Sequence, residues 1–433
     1  MNRASSSLMR HVRDLARDKA GNTAVMFGLA IIPLLVVVGM AVDYARVTSV
    51  RDKLDNAADV AALASVSKSA NPFVTPPTQA SVRKYFDAIA NTIPGVTITS
   101  FQATIVPSVT NMSVAVSYTG QVQTTLARII GISTIAIGGT ATAKVNAPPY
   151  IDFYLLLDNS PSMGLGATAA DISHLQSLTP DSCAFACHQH TFDSKGNVTG
   201  DDLNDYYHVA KNNGVTVRID VLRTATQQLT QTATSTATVQ NQFRMGVYEF
   251  NDSLTTISDL SSNLSAVSSA ANAIDLAYAY YDQRDSQTSY DVALPGINAI
   301  MTNPGNGLTP STPRKFLFFV TDGVQDEPVA NLPPPQPSGN VNSNRLINTL
   351  NPSLCTTIKN RGIQIAILYT PYLPVTNNAF YNQWVAPISS QIPTNLQSCA
   401  SPGFYFQITP TQGISEAMQA MFTAAVSSVL LTN

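Results

Sequence analysis

Hydrophobic and polar positions follow three different rhythms along the chain. From Thr23 to Val42 the sequence TAVMFGLAIIPLLVVVGMAV is apolar, with no charge before Asp43. About twenty such residues match the hydrocarbon thickness of a bilayer as one helix. Pro33, Gly28 and Gly39 are tolerated in a bilayer helix. A cleaved signal peptide would carry a shorter apolar stretch, about 7–15 residues, and a small-residue cleavage site. The longer run here, followed by AVDYARV, predicts an uncleaved anchor over 23–42. Residues 43–67 contain no Gly or Pro and are rich in Ala and Leu. They predict a helical stalk over 43–70 that continues the anchor outward, ended by Asn71-Pro72 and Pro76-Pro77.

The second rhythm has period two. Residues 97–106, 112–118 and 134–145 alternate apolar and polar positions and are rich in Val, Ile and Thr, which predicts strands with one buried face. A helical stretch, TTLARIIG from Thr124, interrupts them. Residues 71–149 therefore read as a small α+β module closed by Pro148-Pro149.

The third rhythm begins at Tyr150. Continuous apolar runs at 151–157, 244–250, 315–320, 362–369 and 404–408 alternate with helical patterns at 217–232, 262–280, 292–301, 345–359 and 414–430. Buried strands alternating with helices predict a doubly wound α/β domain over 150–433, with a mainly parallel sheet and an insertion at 164–216. Ligands of such sheets bind outside the carboxyl ends of the strands.

Composition narrows the function classes. Charged residues make up 12% of the 433 and hydrophobic ones 44%, which is not the composition of a disordered chain. Lys+Arg number 24 and Asp+Glu 27, so no basic excess is available for nucleic acid. Arg3, Arg10, Arg13, Arg17 and Lys19 precede the apolar span. Arg46, Arg51 and Lys53 follow it, mixed with Asp43, Asp52 and Asp55. This bias places residues 1–22 in the cytoplasm and everything after the single span outside it.

The first strand of the α/β region ends in Asp158-Asn159-Ser160-Pro161-Ser162, with a carboxylate and two hydroxyls on alternate positions. The run FLFFVTDG places Asp322 at the equivalent end of another strand, and Thr288 opens a loop into a helix. Carboxylate and hydroxyl oxygens suit Mg²⁺, with Mn²⁺ or Ca²⁺ as alternatives, rather than zinc. Taken singly, such residues also serve as ordinary caps and turns.

The DxSxS turn, the Thr before a helix that carries Ala293-Leu294, and TDG together resemble a von Willebrand factor A domain. The resemblance implies a metal-ion-dependent adhesion site made by Asp158, Ser160, Ser162, Thr288 and Asp322. A second resemblance lies at the N-terminus. The apolar segment, then VDYAR, then LDNAADVAALA is similar to the anchor of TadG-like proteins of bacterial Flp-type (tight adherence) pilus systems. Related pilin-like members carry a Glu early in that segment, tied to prepilin cleavage. Asn22-Thr23-Ala24-Val25-Met26 has none, so a stable anchor is expected.

Four cysteines allow three connectivities. Cys183 with Cys187, and Cys355 with Cys399, are the simplest pairing outside the cytoplasm. A rival reading makes Cys183, Cys187, His188 and His190 zinc ligands, at a spacing more compressed than usual for zinc. His174 and His208 read as isolated surface residues. Gly164-Leu165-Gly166 lacks the third glycine and the lysine of a phosphate loop, and no GxSxG or HExxH motif is present. The Pro-rich stretch 331–343 reads as an extended surface spacer.

The chain is therefore expected to be a non-enzymatic binding and scaffold protein of the bacterial inner membrane, with its C-terminal domain periplasmic or at the cell surface. There it would serve pilus assembly or adhesion by capturing an acidic side chain of a partner protein through the metal. The alternatives are a metal-dependent hydrolase using the same carboxylates, and a purely structural envelope subunit.

Overall fold

The computed structural model describes residues 19–108, 110–279, 288–329, 344–371, 374–376, 378–408 and 413–432. It falls into two compact units, Met1–Ala147 and Pro148–Asn433. The basic residues before Lys19 and the Pro-rich stretch 331–343 lie outside the described residues.

In the first unit, α1 (Lys19–Val66) is one helix of 48 residues, about 70 Å long at the usual rise. Its two halves differ. Val25, Phe27, Leu29, Ile32 and Leu35 are each more than half exposed, whereas Leu54, Ala57, Ala58 and Ala61 are fully buried. The second half packs with α2 (Gln79–Ala90) on an antiparallel sheet of β1 (Val96–Pro107), β2 (Asn111–Gln123) and β3 (Thr134–Asn146), in that order. Central β2 buries Met112, Val114, Val116, Tyr118 and Val122 on one face, the period-two pattern of a half-covered sheet. Residues 43–66, read as a stalk continuing the anchor, form the packed half of α1 in this unit. Its alanines present small faces that let the helix lie close to the sheet.

The stretch TTLARIIG is a single 3₁₀ turn, Ala127–Ile130, rather than a helix. Gly131 ends it at φ 90°, a left-handed conformation suited to glycine. The buried Asp43 carboxylate accepts the backbone N–H groups of Thr125, Leu126 and Ala127 at 2.9, 2.8 and 2.7 Å. A carboxylate capping three donors fixes the turn against α1.

The second unit runs β4 (Ile151–Asp158), α3 (Ala169–Leu178), β5 (His190–Phe192), β6 (Val198–Asp201), α4 (Tyr206–Asn212), α5 (Arg218–Thr236), β7 (Phe243–Phe250), β8 (Leu254–Ser261) and α6 (Leu264–Ala270). It continues with α7 (Tyr290–Ile300), β9 (Arg314–Thr321), β10 (Val324–Val329), β11 (Asn344–Thr349), α8 (Ser353–Asn360), β12 (Gln364–Tyr369), α9 (Gln391–Cys399), β13 (Tyr405–Gln407) and α10 (Ile414–Thr432). Six strands form one sheet in the order β13-β12-β9-β4-β7-β8, parallel throughout except for the antiparallel edge strand β8.

All eight residues of β4 are buried. Phe153, Leu155 and Leu157 pack with Leu222, Leu229 and Phe422 on one face. Tyr154 and Leu156 pack with Leu294, Ile358 and Leu396 on the other. Both faces are covered, as the expected doubly wound sheet requires.

Two expected helices are shorter than their patterns. Of the pattern at 262–280, described to residue 279, only Leu264–Ala270 and a 3₁₀ turn to Ala273 are helical among the described residues. Beyond that the chain extends so that Ile274 and Leu276 enter the core while Asp275 N–H donates to Glu249. Of 345–359, the first part is strand β11, paired antiparallel with β10, and helix α8 starts after Pro352. Cys355 on α8 and Cys399 at the end of α9 are joined by a disulfide.

Candidate metal centre

β4 and β9 are adjacent parallel strands, so their carboxyl ends lie side by side. The chain leaves β4 at Asp158 and β9 just before Asp322, and both carboxylates are fully buried. Ser160 N–H and Ser160 Oγ donate to Asp158 Oδ1 at 3.0 and 2.5 Å, and Ser160 Oγ lies 2.9 Å from Ser162 Oγ. Thr321 Oγ1 donates to Asp158 Oδ2 at 2.7 Å, and Val324 N–H to Asp322 Oδ1 at 3.2 Å. Gly323, between them, adopts φ 83°, and a Cβ there would meet Ile392 at 2.3 Å. The TDG turn therefore demands its glycine.

Thr288 pairs with Asp326 through two backbone hydrogen bonds of 3.1 and 3.0 Å. It lines, with Ser162, a cavity of about 270 Å³ whose walls include Cys183, Cys187, Asp326 and Arg345. The structure thus joins Asp158, Ser160 and Ser162 in one hydrogen-bonded chain, sets Asp322 beside them, and puts Thr288 and Ser162 on one cavity wall.

Burial, and next the negative charge of Asp322, hold the Asp158 carboxyl well above the ordinary carboxylate range. The hydrogen bonds from Ser160 and Thr321 offset this only in part. Two buried carboxylates within reach of each other's field, flanked by hydroxyl oxygens, are a donor set that a hard divalent cation completes. When bound, such an ion supplies positive charge that an incoming carboxylate can join.

The sequence missed three contributors. Thr321 orients Asp158, and its position directly before Asp322 was a readable signal. Asp326 and Arg345 form a buried ion pair, with the Arg345 guanidinium 4.8 Å from the Phe380 ring. No sequence signal joined them, because their pairing depends on the β10–β11 hairpin.

The Cys/His zinc set does not assemble. Cys183 and Cys187 carry no disulfide and line the cavity, so the local bridge is absent too. His188 instead faces Asp201, and His190 stacks on Tyr278 with ring centres 3.6 Å apart. His208 is not isolated: its ring nitrogens face Asp201 and Asp205. His174 is exposed on α3.

The second unit is thus an α/β domain with a mainly parallel sheet and an acidic turn at the carboxyl edge of its central strands. Residues 21–68 match the family described as "Putative Flp pilus-assembly TadE/G-like". No curated relative matches the sequence. Among solved structures, the chain is similar to the von Willebrand domain of the type V pili tip protein Mfa5 from Porphyromonas gingivalis. The identity is 9%, with 66% of this chain and 97% of that one covered and a TM-score of 0.35. PilB minor pilin from Streptococcus sanguinis aligns at 12% identity over 78% of each chain, TM-score 0.36. BatB from Bacteroides thetaiotaomicron aligns at 12% identity over 65% of this chain and 100% of its own, TM-score 0.32.

Proposed function

We propose that this TadE/G-like chain is a membrane-anchored binding and scaffold protein of pilus assembly or surface adhesion. In this reading residues 23–42 span the inner membrane with the N-terminus cytoplasmic, and the chain from Asp43 onward lies outside the cytoplasm. The exposed apolar half of α1 supports the anchor. So do Leu126, Ile129, Ile130 and Ile132, which are exposed on the turn that Asp43 holds against α1.

The second unit captures an acidic side chain of a partner protein at a site where Asp158, Ser160, Ser162, Thr288 and Asp322 would hold Mg²⁺, or Mn²⁺ or Ca²⁺. One observation carries this: paired buried carboxylates at adjacent strand ends, with Ser162 of the same turn opening onto a cavity. Hydroxyl ligands leave much of the cation's charge uncancelled, so the site favours an anionic group. The test is capture of envelope proteins from solubilised membranes, with and without chelator, by the wild-type chain and by Asp158→Ala. Metal-dependent capture lost in the variant is expected. Capture indifferent to both chelator and variant sinks the reading.

A further inference from the structure

The insertion between β4 and α5 carries a second cluster, which shares no residue with the Asp158 centre. His188, Asp201, Asp205 and His208 place ligand-capable atoms all within 4.8 Å of one another. They come from three separate pieces of chain: the loop before β5, the end of β6, and the start of α4 with its cap.

The hydrogen bonds around the rings decide where the lone pairs point. His188 Nδ1 lies 3.1 Å from the Leu276 carbonyl, which can only accept. In the neutral ring Nδ1 therefore carries the hydrogen and Nε2 the lone pair. That Nε2 sits 3.2 Å from Asp201 Oδ1. His208 Nδ1 is 2.8 Å from Asp205 Oδ1, the length of an N–H donating to a carboxylate. The His208 Nε2 lone pair then faces Asp201 Oδ2 at 3.3 Å.

Asp205 is fully committed. Its buried carboxylate also accepts His208 N–H, capping α4, and Gln189 N–H at 2.7 Å.

Two imidazole lone pairs thus converge on the carboxylate of Asp201. Acceptor against acceptor is repulsive, and a cation among them reverses the sign. Ligand atoms about 2.0–2.2 Å from a zinc ion stand roughly 3.3 Å from one another in a tetrahedron. The observed separations, 3.2 Å from His188 Nε2 to Asp201 Oδ1 and 3.3 Å from His208 Nε2 to Asp201 Oδ2, are close to that spacing, and the ligand atoms together lie within 4.8 Å. A carbonyl and a carboxylate holding the far ring nitrogens are the usual outer support of histidine ligands.

His188 is further fixed by its bridge to Tyr278, by Ala279 N–H donating to its carbonyl at 2.7 Å, and by the Tyr278 ring 3.9 Å away. Asp201 keeps 36% of its side-chain surface exposed, which leaves an entry path.

We propose that His188, His208 and Asp201 form a binding site for a divalent transition-metal ion of the zinc class, with Asp205 and the Leu276 carbonyl orienting the rings. Two imidazoles and one carboxylate suit such an ion over Mg²⁺. Bound there, it staples three pieces of the insertion together.

The test uses the full chain in detergent, stripped with chelator and held in excess Mg²⁺ so that hard-cation sites are occupied. Calorimetric titration with Zn²⁺ should show one equivalent bound. Asp201→Asn and His208→Gln, with folding checked by circular dichroism, should each weaken binding by at least about a hundredfold. A chain with Cys183→Ser and Cys187→Ser should bind as the wild type does. Should the histidine-site variants misfold, Co²⁺ bound to the wild-type chain decides. Ligand-field absorption without a thiolate charge-transfer band supports the site, and a thiolate band overturns it. No zinc binding by the wild type, undiminished binding in a folded Asp201→Asn, or loss of binding in the cysteine variant also overturns it.

Discussion

Strand β4 carries a buried aspartate near each end, and the two have opposite surroundings. At the amino end Asp152 meets Lys315 Nζ at 2.7 Å and both forks of Arg244 at 2.7 and 2.8 Å. At the carboxyl end Asp158 meets the neutral donors of Ser160 and Thr321, and burial, then the charge of Asp322, raise its proton affinity. The first carboxylate is neutralised by the fold itself. The second is held in a state that an added cation would relieve. Burial of an acid on a strand therefore says little about its role until the charges around it are counted.

The largest effect that would break this comparison is on stability. Asp152→Ala strands Lys315, whose side chain is only 2% exposed, beside the Arg244 charge. Removing one partner of a buried pair costs about 3–5 kcal/mol. Denaturant unfolding should show that loss, while the folded fraction keeps its Mg²⁺ binding. A cost near zero would make the two ends alike.

Asp158→Ala should do the reverse. Calorimetry should find Mg²⁺ and Mn²⁺ binding abolished, and without cation the domain should stay folded, with stability equal to or slightly above wild type because one of two repelling carboxylates has gone. Asp322→Ala should behave the same way. Undiminished cation binding in a folded Asp158→Ala chain reduces the constellation to turn chemistry.

A third acid sharpens the contrast. Glu249, opposite Leu157 on β7, is buried, and burial pushes its carboxyl up to about 8 from 4.5. The folded chain keeps this proton where the unfolded chain has lost it, so unfolding releases a proton between those two values. Stability is full below 4.5 and falls as pH rises toward 8, by up to about 1.4 kcal/mol per pH unit from this group. Glu249→Gln should flatten that part of the pH–stability curve, and an unchanged slope would show that the carboxyl ionises freely. The smallest effect belongs to Ser160→Ala, which should weaken Mg²⁺ affinity without abolishing it, since a neutral hydroxyl contributes less field than a carboxylate. Equal loss in Ser160→Ala and Asp158→Ala would contradict that ranking.

Much of this was legible because it is local or periodic. The apolar runs that became β4, β7, β9 and β12 read as strands, since strands buried on both faces are mostly apolar and their few charges, such as Asp152 and Glu249, do not break the run. Asp158, Ser160 and Asp322 were legible because they sit at a strand end or within two residues of one. What failed was set by distant partners. Residues 345–349 look helical in isolation, yet they pair with β10, and Pro352 was a start signal for α8 rather than a helix interior. Residues 274–279 have helix-forming composition, but Asp275 N–H is needed by Glu249 and the carbonyl of Leu276 by His188. The cluster of His188, Asp201, Asp205 and His208 has no motif at all, because the hairpin β5–β6 and the cap of α4 bring it together.

The unbroken course of α1 has a mechanical consequence. From Met40 to Val66 the helix contains neither glycine nor proline, and Asp43 clamps the turn at Ala127 to its side. Nothing along that length can act as a joint. A pull on the sheet of the first unit travels down the rod as tilt and axial load, and the compliant point is Pro33, where a backbone hydrogen bond is missing. Bending strain is therefore delivered to the apolar half of the helix, and the packed half arrives at the load unbent.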